Sequence, residues 1–406
     1  MEIKSRAGKV IFSVAAIAGF LWFLVWTTKS VVAHYLAREP KLPRLELAAR
    51  LVPGDSNYQR FLGRYYLYTL EEMDFAKSEG YFRRAAELNP HEPDIWLELA
   101  SALEYQGKFE VAEQAYLRAT SLAPANPRIA WPAGQFFLRQ ERFDAAVTHF
   151  RVVLAGTNNY NRTLFETAWK ALDDPDQILD ELIPSHRETE IAYLNYLSEK
   201  QRFDAAKKVW KRVIAHPEPL EPRYAGPYIN RLVGARMGAA AHEAWRELLA
   251  NQPDLFHPSG EGNLVVNGDF EGKPLGFGFD WRAGRINGAV MEYDRSVFRS
   301  PGRSALIRFR GESNISYRHF SQWVKVDPRK RYRFQASMRT EGITTDSGPH
   351  FEIIDPVDSS RLREFSDDLV GTWSWQTVTI DFRTGSTTEM ILLRVVRRPS
   401  RKLDNL

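Results

Sequence analysis

The groups in this sequence with chemistry to offer are arginines and aromatic rings. The chain holds 11 Trp, 16 Tyr and 24 Phe but no Cys. A guanidinium grips a carboxylate through two parallel hydrogen bonds, and an exposed ring supplies apolar contact beside it. That pairing suits an extended peptide bearing acidic groups or a free carboxylate. Catalytic signatures are missing: no HExxH, G-x-S-x-G, P-loop or dinucleotide-binding glycine pattern occurs. The nine histidines are scattered. Without cysteine there are no disulfides, thiolate metal sites or cysteine nucleophiles. Asp173-Asp174-Pro175-Asp176 is acidic, but turn formation accounts for it more cheaply than a metal. Arg394, Arg397, Arg398, Arg401 and Lys402 form a basic run suited to anionic lipid or polysaccharide, for which a solvated, frayed end is the preferred reading. These features point to a binding protein rather than an enzyme. The enzymatic alternative is a glycosidase assembled from two scattered carboxylates.

The elements that position these groups fall into three zones. At 406 residues the chain has room for two or three domains, and its net charge of +4 is too small to favour nucleic acid. Val10 to Thr28 contains no charged residue. As a helix that run spans roughly 28 Å, close to the ~30 Å of a hydrocarbon core. Trp22 and Trp26 near its end suit an interfacial belt. Lys4, Arg6 and Lys9 before it form a basic n-region, so a cleaved signal peptide is the rival of an uncleaved signal anchor. The anchor is preferred because the run is long and no small-x-small cleavage site follows. Lys29, Arg38, Lys41 and Arg44 balance the basic residues before the span, so charge alone does not orient it. The expected division is a cytoplasmic tail at 1–9, a transmembrane anchor at 10–28, a connector at 29–45 marked by Pro40 and Pro43, a helical array at 46–252, a linker at 253–262 and a β-sandwich at 263–406.

In the array, Trp96, Leu99, Ala100 and Leu103 make one buried helical stripe, and Ala112, Tyr116 and Ala119 a second. Gly107 breaks the first helix and Pro124 stops the second. The turn Gly107-Lys108-Phe109-Glu110 recurs 34 residues later as Glu141-Arg142-Phe143-Asp144. Small Ala112 and Ala146 permit close helix approach beside bulky Tyr116 and Phe150. This resembles the tetratricopeptide repeat, W-x2-L-G-x2-Y…A-x3-F…P, with Ala100 where that pattern has Gly. Six helix pairs are expected. The first carries Leu62, Gly63, Tyr66, Phe82, Ala85 and Ala86, with an insertion around Glu71 to Asp74, and Trp210 and Trp245 fill the aromatic slot of the last two. The resemblance implies a groove lined by Arg60, Arg64 and Tyr68, then Leu97, Ser101 and Tyr105, then Arg128, Trp131, Gln135 and Arg139, with Asn195 from a later pair. The alternative is that these arginines form a solvated face. Trp131 stands out as an aromatic with little structural reason to be open.

Beyond Pro258-Ser259-Gly260-Glu261-Gly262 the period changes to that of strands: Ala289 to Tyr293, Ser304 to Phe309, Ser316 to Val326, Arg331 to Arg339, His350 to Ile354, Trp375 to Phe382 and Glu389 to Val396. The opening Asn263-Leu264-Val265-Val266-Asn267-Gly268-Asp269-Phe270-Glu271 resembles the first strand and turn of CenC-type carbohydrate-binding modules, which are galactose-binding-like jelly rolls. That resemblance implies sugar stacking on Trp281, Tyr293, Tyr317, Trp323 and Trp373, with Arg308, Arg310, His319 and Glu352 as polar partners, while Trp375 reads as core. It also implies a structural calcium, with Asp269 or Glu271 supplying the first half of its site. The chain departs from the family at Arg401-Lys402-Leu403-Asp404-Asn405-Leu406, where a closing strand is expected; either the sandwich is completed differently or the chain is shortened.

The fold expected is therefore a transmembrane helix, an all-α solenoid and an all-β jelly-roll sandwich. The function expected is a non-catalytic scaffold of the bacterial envelope, single-pass in the inner membrane with its body outside the cytoplasm. Its solenoid holds a protein partner and its sandwich contacts envelope polysaccharide or exopolysaccharide. The alternative is a purely structural or oligomerising sandwich with no glycan. The short polar linker predicts that array and sandwich share little core.

Overall fold

The computed structural model of the chain describes residues 6–39, 41–253, 255, 262–299 and 302–401. The side chains of 6–9 and of Ile11, together with Lys4, Pro40, most of the linker, Lys402 and the final residues, lie outside the described residues. The chain forms two compact units, 1–189 and 190–406.

The first unit opens on α1 (Arg6–Ala37), an unbroken 32-residue helix. Its segment Phe12–Ala37 is long and apolar enough to cross a membrane. The expected connector is helical: it finishes α1 and begins α2 (Leu42–Leu51). Ala33 is fully buried, and Leu36 and Ala37 pack beside it on Leu45, Ala48, Tyr58 and Leu62. There follow α3 (Ser56–Tyr68), α4 (Phe75–Leu88), α5 (Pro93–Tyr105), α6 (Phe109–Leu122), α7 (Pro127–Arg139), α8 (Phe143–Gly156) and α9 (Asn161–Ala171). A short α10 (Pro175–Gln177) runs on as a π-helical turn, Ile178–Leu182. Asp55, Asp74 and Asn126 each accept a backbone N–H at the start of α3, α4 and α7, which satisfies donors that a helix start leaves open. Pro93 and Pro127 occupy first-turn positions, where a missing N–H costs nothing. The insertion in the first repeat is a three-residue 3-10 turn, Leu70–Glu72.

Two of the pairs, α3 with α4 and α7 with α8, close on the same kind of contact. At Gly63 an added Cβ would lie 2.7 Å from the Phe82 ring, and at Gly134 2.5 Å from the Phe150 ring. Ala112 and Ala146 are buried as their spacing predicts. The turns share a backbone as well: Gly107, Glu141, Gln201 and Arg236 all take a left-handed φ. In each, the next N–H reaches back across the helix end, Lys108 to Leu103, Arg142 to Phe137, Arg202 to Leu197 and Met237 to Leu232.

In the second unit α11 (Arg187–Glu199) leads to α12 (Phe203–Ile214), α13 (Pro222–Gly234) and α14 (Gly238–Asn251). Trp210 and Trp245 are both buried. The strands are β1 (Arg282–Ala283), β2 (Ala289–Asp294), β3 (Ser304–Phe309), β4 (Tyr317–Lys325), β5 (Arg331–Ile343), β6 (His350–Ile354), β7 (Arg363–Phe365), β8 (Gly371–Arg383) and β9 (Met390–Arg397). All described pairings are antiparallel: a five-stranded sheet in the order β1-β4-β9-β6-β7, and two ribbons, β2-β3 and β5-β8. Alternating residues of both layers meet in one core, with Phe320, Val324, Ile391, Leu393, Phe351 and Ile353 from the sheet and Val378, Ile380 and Phe382 from β8. The stretch 263–271, expected as the first strand, forms turns instead, because Asn267 takes a left-handed φ and its amide binds the backbone of Gly272. Strand β9 lies in the middle of the sheet, between β4 and β6.

The expectation of little shared core fails here. Trp245 of α14 meets Phe277 edge-on at 5.7 Å and lies 6.1 Å from Phe279. Asn230 of α13 accepts from the Gly278 N–H at 3.0 Å and from Arg282 at 2.8 Å. Gly238 packs against Met390. The segment after the linker carries its own apolar plug, which a reading of the linker alone does not weigh.

Two outcomes follow from this packing. Ala112→Arg places an unpaired charge in a closed helix seam and should lower stability by several kcal/mol in denaturant titration; an unchanged midpoint would refute the repeat register. Gly278 has φ +59, and its Cβ would meet the Trp245 ring at 2.7 Å. Gly278→Ala should therefore destabilise the second unit by at least about 1 kcal/mol, read from tryptophan fluorescence on melting.

Candidate functional site

The face shared by α3, α5 and α7 carries most of the expected groove residues, and their charges are already spoken for. Helix α5 sets Asp94, Glu98 and Glu104 between arginines of its two neighbours. Arg60 of α3 binds Glu98 through two hydrogen bonds, 2.7 and 2.8 Å, and lies 3.4 Å from Asp94. Arg128 of α7 meets Asp94 at 2.6 Å. Arg139 donates to both oxygens of Glu104, which also accepts from the Tyr116 hydroxyl. The expected arginine row is thus a ladder of interhelical ion pairs. Only 18% of the Arg60 side chain is exposed, and its Glu98 hydrogen bond holds the guanidinium above its ordinary pKa. Arg60 is structural. The α5 acids escaped sequence reasoning, although Asp94 and Glu98 at i and i+4 face the same flank.

Trp131, expected as an open aromatic, is packed. Its ring stacks on Tyr160 at 4.3 Å with a 16° tilt and leans on Phe150 at 5.8 Å. The packing partner arrives from the turn before α9, far along the chain. Gln135 is half-buried on α7. Asn195 stands on α11 in the second unit; its Oδ1 is buried with no hydrogen-bond partner among the described residues.

What remains open lies at the C-terminal ends of α3 and α5. Tyr68 is 57% exposed and Tyr105 63%. Arg64, 50% exposed, lies 3.7 Å from Glu98, too long for a close ion pair, and keeps donors to spare. The Tyr68 hydroxyl is held above its ordinary pKa by desolvation first and then by Glu98, with Arg64 opposing, which places these groups in one patch. Tyr105 offers one ring face, since Phe75 stacks on the other at 5.1 Å. Leu70 and Met73 of the insertion are exposed beside them in sequence, a feature that composition alone did not single out.

The sandwich keeps few of its expected sugar contacts. Trp281 is 4% exposed and stacks on Phe320 at 4.6 Å, its Nε1 donating to the Asn267 carbonyl. Tyr317 is buried edge-on to Phe309, and burial pushes its hydroxyl up to about 12. Both are core side chains with no face to give a pyranose. Tyr293 is half-buried under Arg303, 5.0 Å from its ring centre, with its hydroxyl raised to about 12 by burial and Asp280. Trp323 is half-buried opposite Leu392. Trp373, 49% exposed, is the open ring of the five, its Nε1 bound to the Val370 carbonyl. Of the polar partners, Arg308 pairs with Glu292, while Arg310 is exposed and His319 half-buried.

Glu352, on β6, is clamped between Arg363 and Arg394. Burial raises its pKa, but Arg394 and then Arg363 outweigh this and leave it below the ordinary value. A general acid needs the opposite shift. Asp269 accepts the Glu271 N–H and Glu271 accepts the Arg303 N–H, so both close loops. Among the described residues no three acidic or histidine side chains gather as a metal site.

The charge ladder separates two roles that a denaturation series can read. Arg60→Ala should cost about 2 kcal/mol, because it strands a sheltered carboxylate. Arg64→Ala should cost less than about 0.5 kcal/mol, as a surface charge does. Equal losses would place Arg64 in the structural ladder too.

The tetratricopeptide repeat family matches residues 69–127 and, overlapping, 97–161. The chain therefore carries tetratricopeptide repeats in its first unit. Solved structures with similar helical regions include the tetratricopeptide domain of Arabidopsis OM64, at 19% identity over 29% of this chain and 94% of that one, TM-score 0.26. Pseudomonas aeruginosa PilF matches at 15% identity over 57% and 94%, TM-score 0.28. The Yersinia enterocolitica type III secretion translocator chaperone SycD matches at 13% over 31% and 96%, TM-score 0.26.

Proposed function

We propose that this protein is a non-catalytic adaptor, held in a membrane by α1, whose helical repeats bind a protein partner through the Arg64–Tyr68–Tyr105 patch. The observation that carries the reading is the contrast on one helical face. The other arginines and Trp131 are consumed by internal contacts, while two tyrosines and one guanidinium stay open together. Exposed tyrosines beside an arginine are the composition of a binding hot spot. A partner segment with apolar side chains and a carboxylate matches it, since Arg64 can accept a second acid beyond Glu98. The all-round exposure of apolar residues on α1 supports the membrane reading, because a long bare apolar helix is unfavourable in water.

The sandwich fits best as a structural cap on α13 and α14. Its Phe277–Phe279 loop is spent on Trp245, and Trp281 and Tyr317 fill its own core. Trp373 alone is too small a platform to hold a sugar chain, which needs several contacts to offset its ordering.

The test is capture of partners from detergent-solubilised membranes on the full chain and on the Arg64→Ala/Tyr105→Ala double variant. A protein retained by the parent should be lost at least tenfold by the variant while the melting curve stays in place; loss of ~1–2 kcal/mol per anchor predicts that factor. Retention unchanged in the folded variant would move the binding surface elsewhere.

A further inference from the structure

Helix α1 changes character part-way along. Every described side chain from Phe12 to Trp26 is exposed, on all sides of the helix. From Thr27 onward one stripe is covered: Thr27 and Ser30 are half-buried, Ala33 is fully buried, and Leu36 and Ala37 join the core of α2 and α3. The same rigid helix is therefore bare for its first part and a member of the array for its last. No hinge separates the two parts, since the helix has no break between Arg6 and Ala37.

The level at which the change occurs can be placed. After the turn at Arg38, α2 packs back against the end of α1 and runs for ten residues, about 15 Å. Leu51 and Val52 at the end of α2 pack on the cluster that holds Ala33, and since the last ten residues of α1 rise by the same amount as α2, an antiparallel return brings the end of α2 to the level of Thr28. The loop after α2, Val52-Pro53-Gly54-Asp55, thus sits beside the point where the bare part of α1 ends. From that loop α3 sets out again for 13 residues, about 20 Å, and delivers Tyr68 and the Leu70–Glu72 insertion to the far end.

We infer that the helices of the first unit are mounted on the membrane span as a rigid post, with the Val52–Asp55 loop against the lipid headgroups and the Tyr68–Met73 end held about 20 Å into the water. The partner of the lower end is a lipid bilayer surface. This rests on the reading that α1 crosses a membrane. Its consequence is that the patch around Arg64, Tyr68 and Tyr105 faces away from the bilayer at a set height, open to a partner approaching through solvent.

The chain has no cysteine, so single cysteines can report depth. Gly54 is open, with nothing within 4 Å of an added Cβ, and Met73 is exposed, so neither change disturbs packing. The full-length Gly54→Cys and Met73→Cys proteins are labelled with one fluorophore and reconstituted into phosphatidylcholine vesicles carrying a headgroup nitroxide. The label at 54 should lose at least half its emission and the label at 73 less than a tenth. Ala33→Gln, which forces a long side chain into the α1–α2 seam, should relieve the quenching at 54 while the protein still floats with vesicles. Equal quenching at both sites would mean the array lies flat. Absence of quenching at both in a protein that floats would mean it swings free. Either result overturns the rigid post but spares the membrane reading, whereas failure to float with vesicles overturns both.

Discussion

An aromatic ring standing where a Cβ would be is the contact on which two of the helix pairs, α3 with α4 and α7 with α8, depend. Phe82 fills the space above Gly63, and Phe150 that above Gly134. Two helices can approach this closely only when one of them has no side chain at the crossing, and the ring then seals the gap with the densest packing available. Ala146 is buried on the second helix of the Gly134 pair, and Ala112 is buried on α6, whose partner α5 carries Ala100 where the other two have glycine. Once the pairs are formed, their first helices lie side by side, and the polar surface they share is set by which side chains reach across.

That surface shows how a fold can use up a binding face. Acids at three positions of α5 draw in Arg60, Arg128 and Arg139, and these cross-helix pairs tie adjacent repeats together. Sheltered pairs such as Arg60–Glu98 hold position more than they add energy, because burial of the charges offsets much of their attraction. The part of the face left open is then narrow and local, at the helix ends where Tyr68, Tyr105 and Arg64 are exposed. The ends also bear the insertion, whose Leu70 and Met73 widen the apolar part of the same region.

The second unit makes a different use of aromatic rings. Phe277 and Phe279 precede the first strand and meet Trp245, so three rings join helix and sandwich into one core. Gly278 between them takes a left-handed φ that lets both phenylalanines approach the same indole. The three rings thereby bury an aromatic face of α14 against the segment that leads into β1.

Periodicity carried most of the architecture. The stripe from Trp96 to Leu103, its recurrence at the next turn, the apolar run after Val10 and the alternation of β4, β8 and β9 are local patterns, and local patterns follow from backbone geometry. The insertion in the first repeat was legible for the same reason, as a spacing out of step with the next repeat. What the residues alone left open was which polar and aromatic side chains are spent. Trp131 and Trp281 read as available until Tyr160 and Phe320, brought in from distant segments, cover them. Arg60 and Arg64 are one helical turn apart and identical in type, yet Glu98 from the next repeat grips the first through two hydrogen bonds and only stands 3.7 Å from the second, which stays half exposed. The connector at 29–45 was set apart by Pro40 and Pro43, and only the packing of Ala33 with α2 and α3 makes it part of the array. A side chain's availability is a property of its neighbours in space, and those neighbours are chosen by tertiary packing rather than by its own place in the chain.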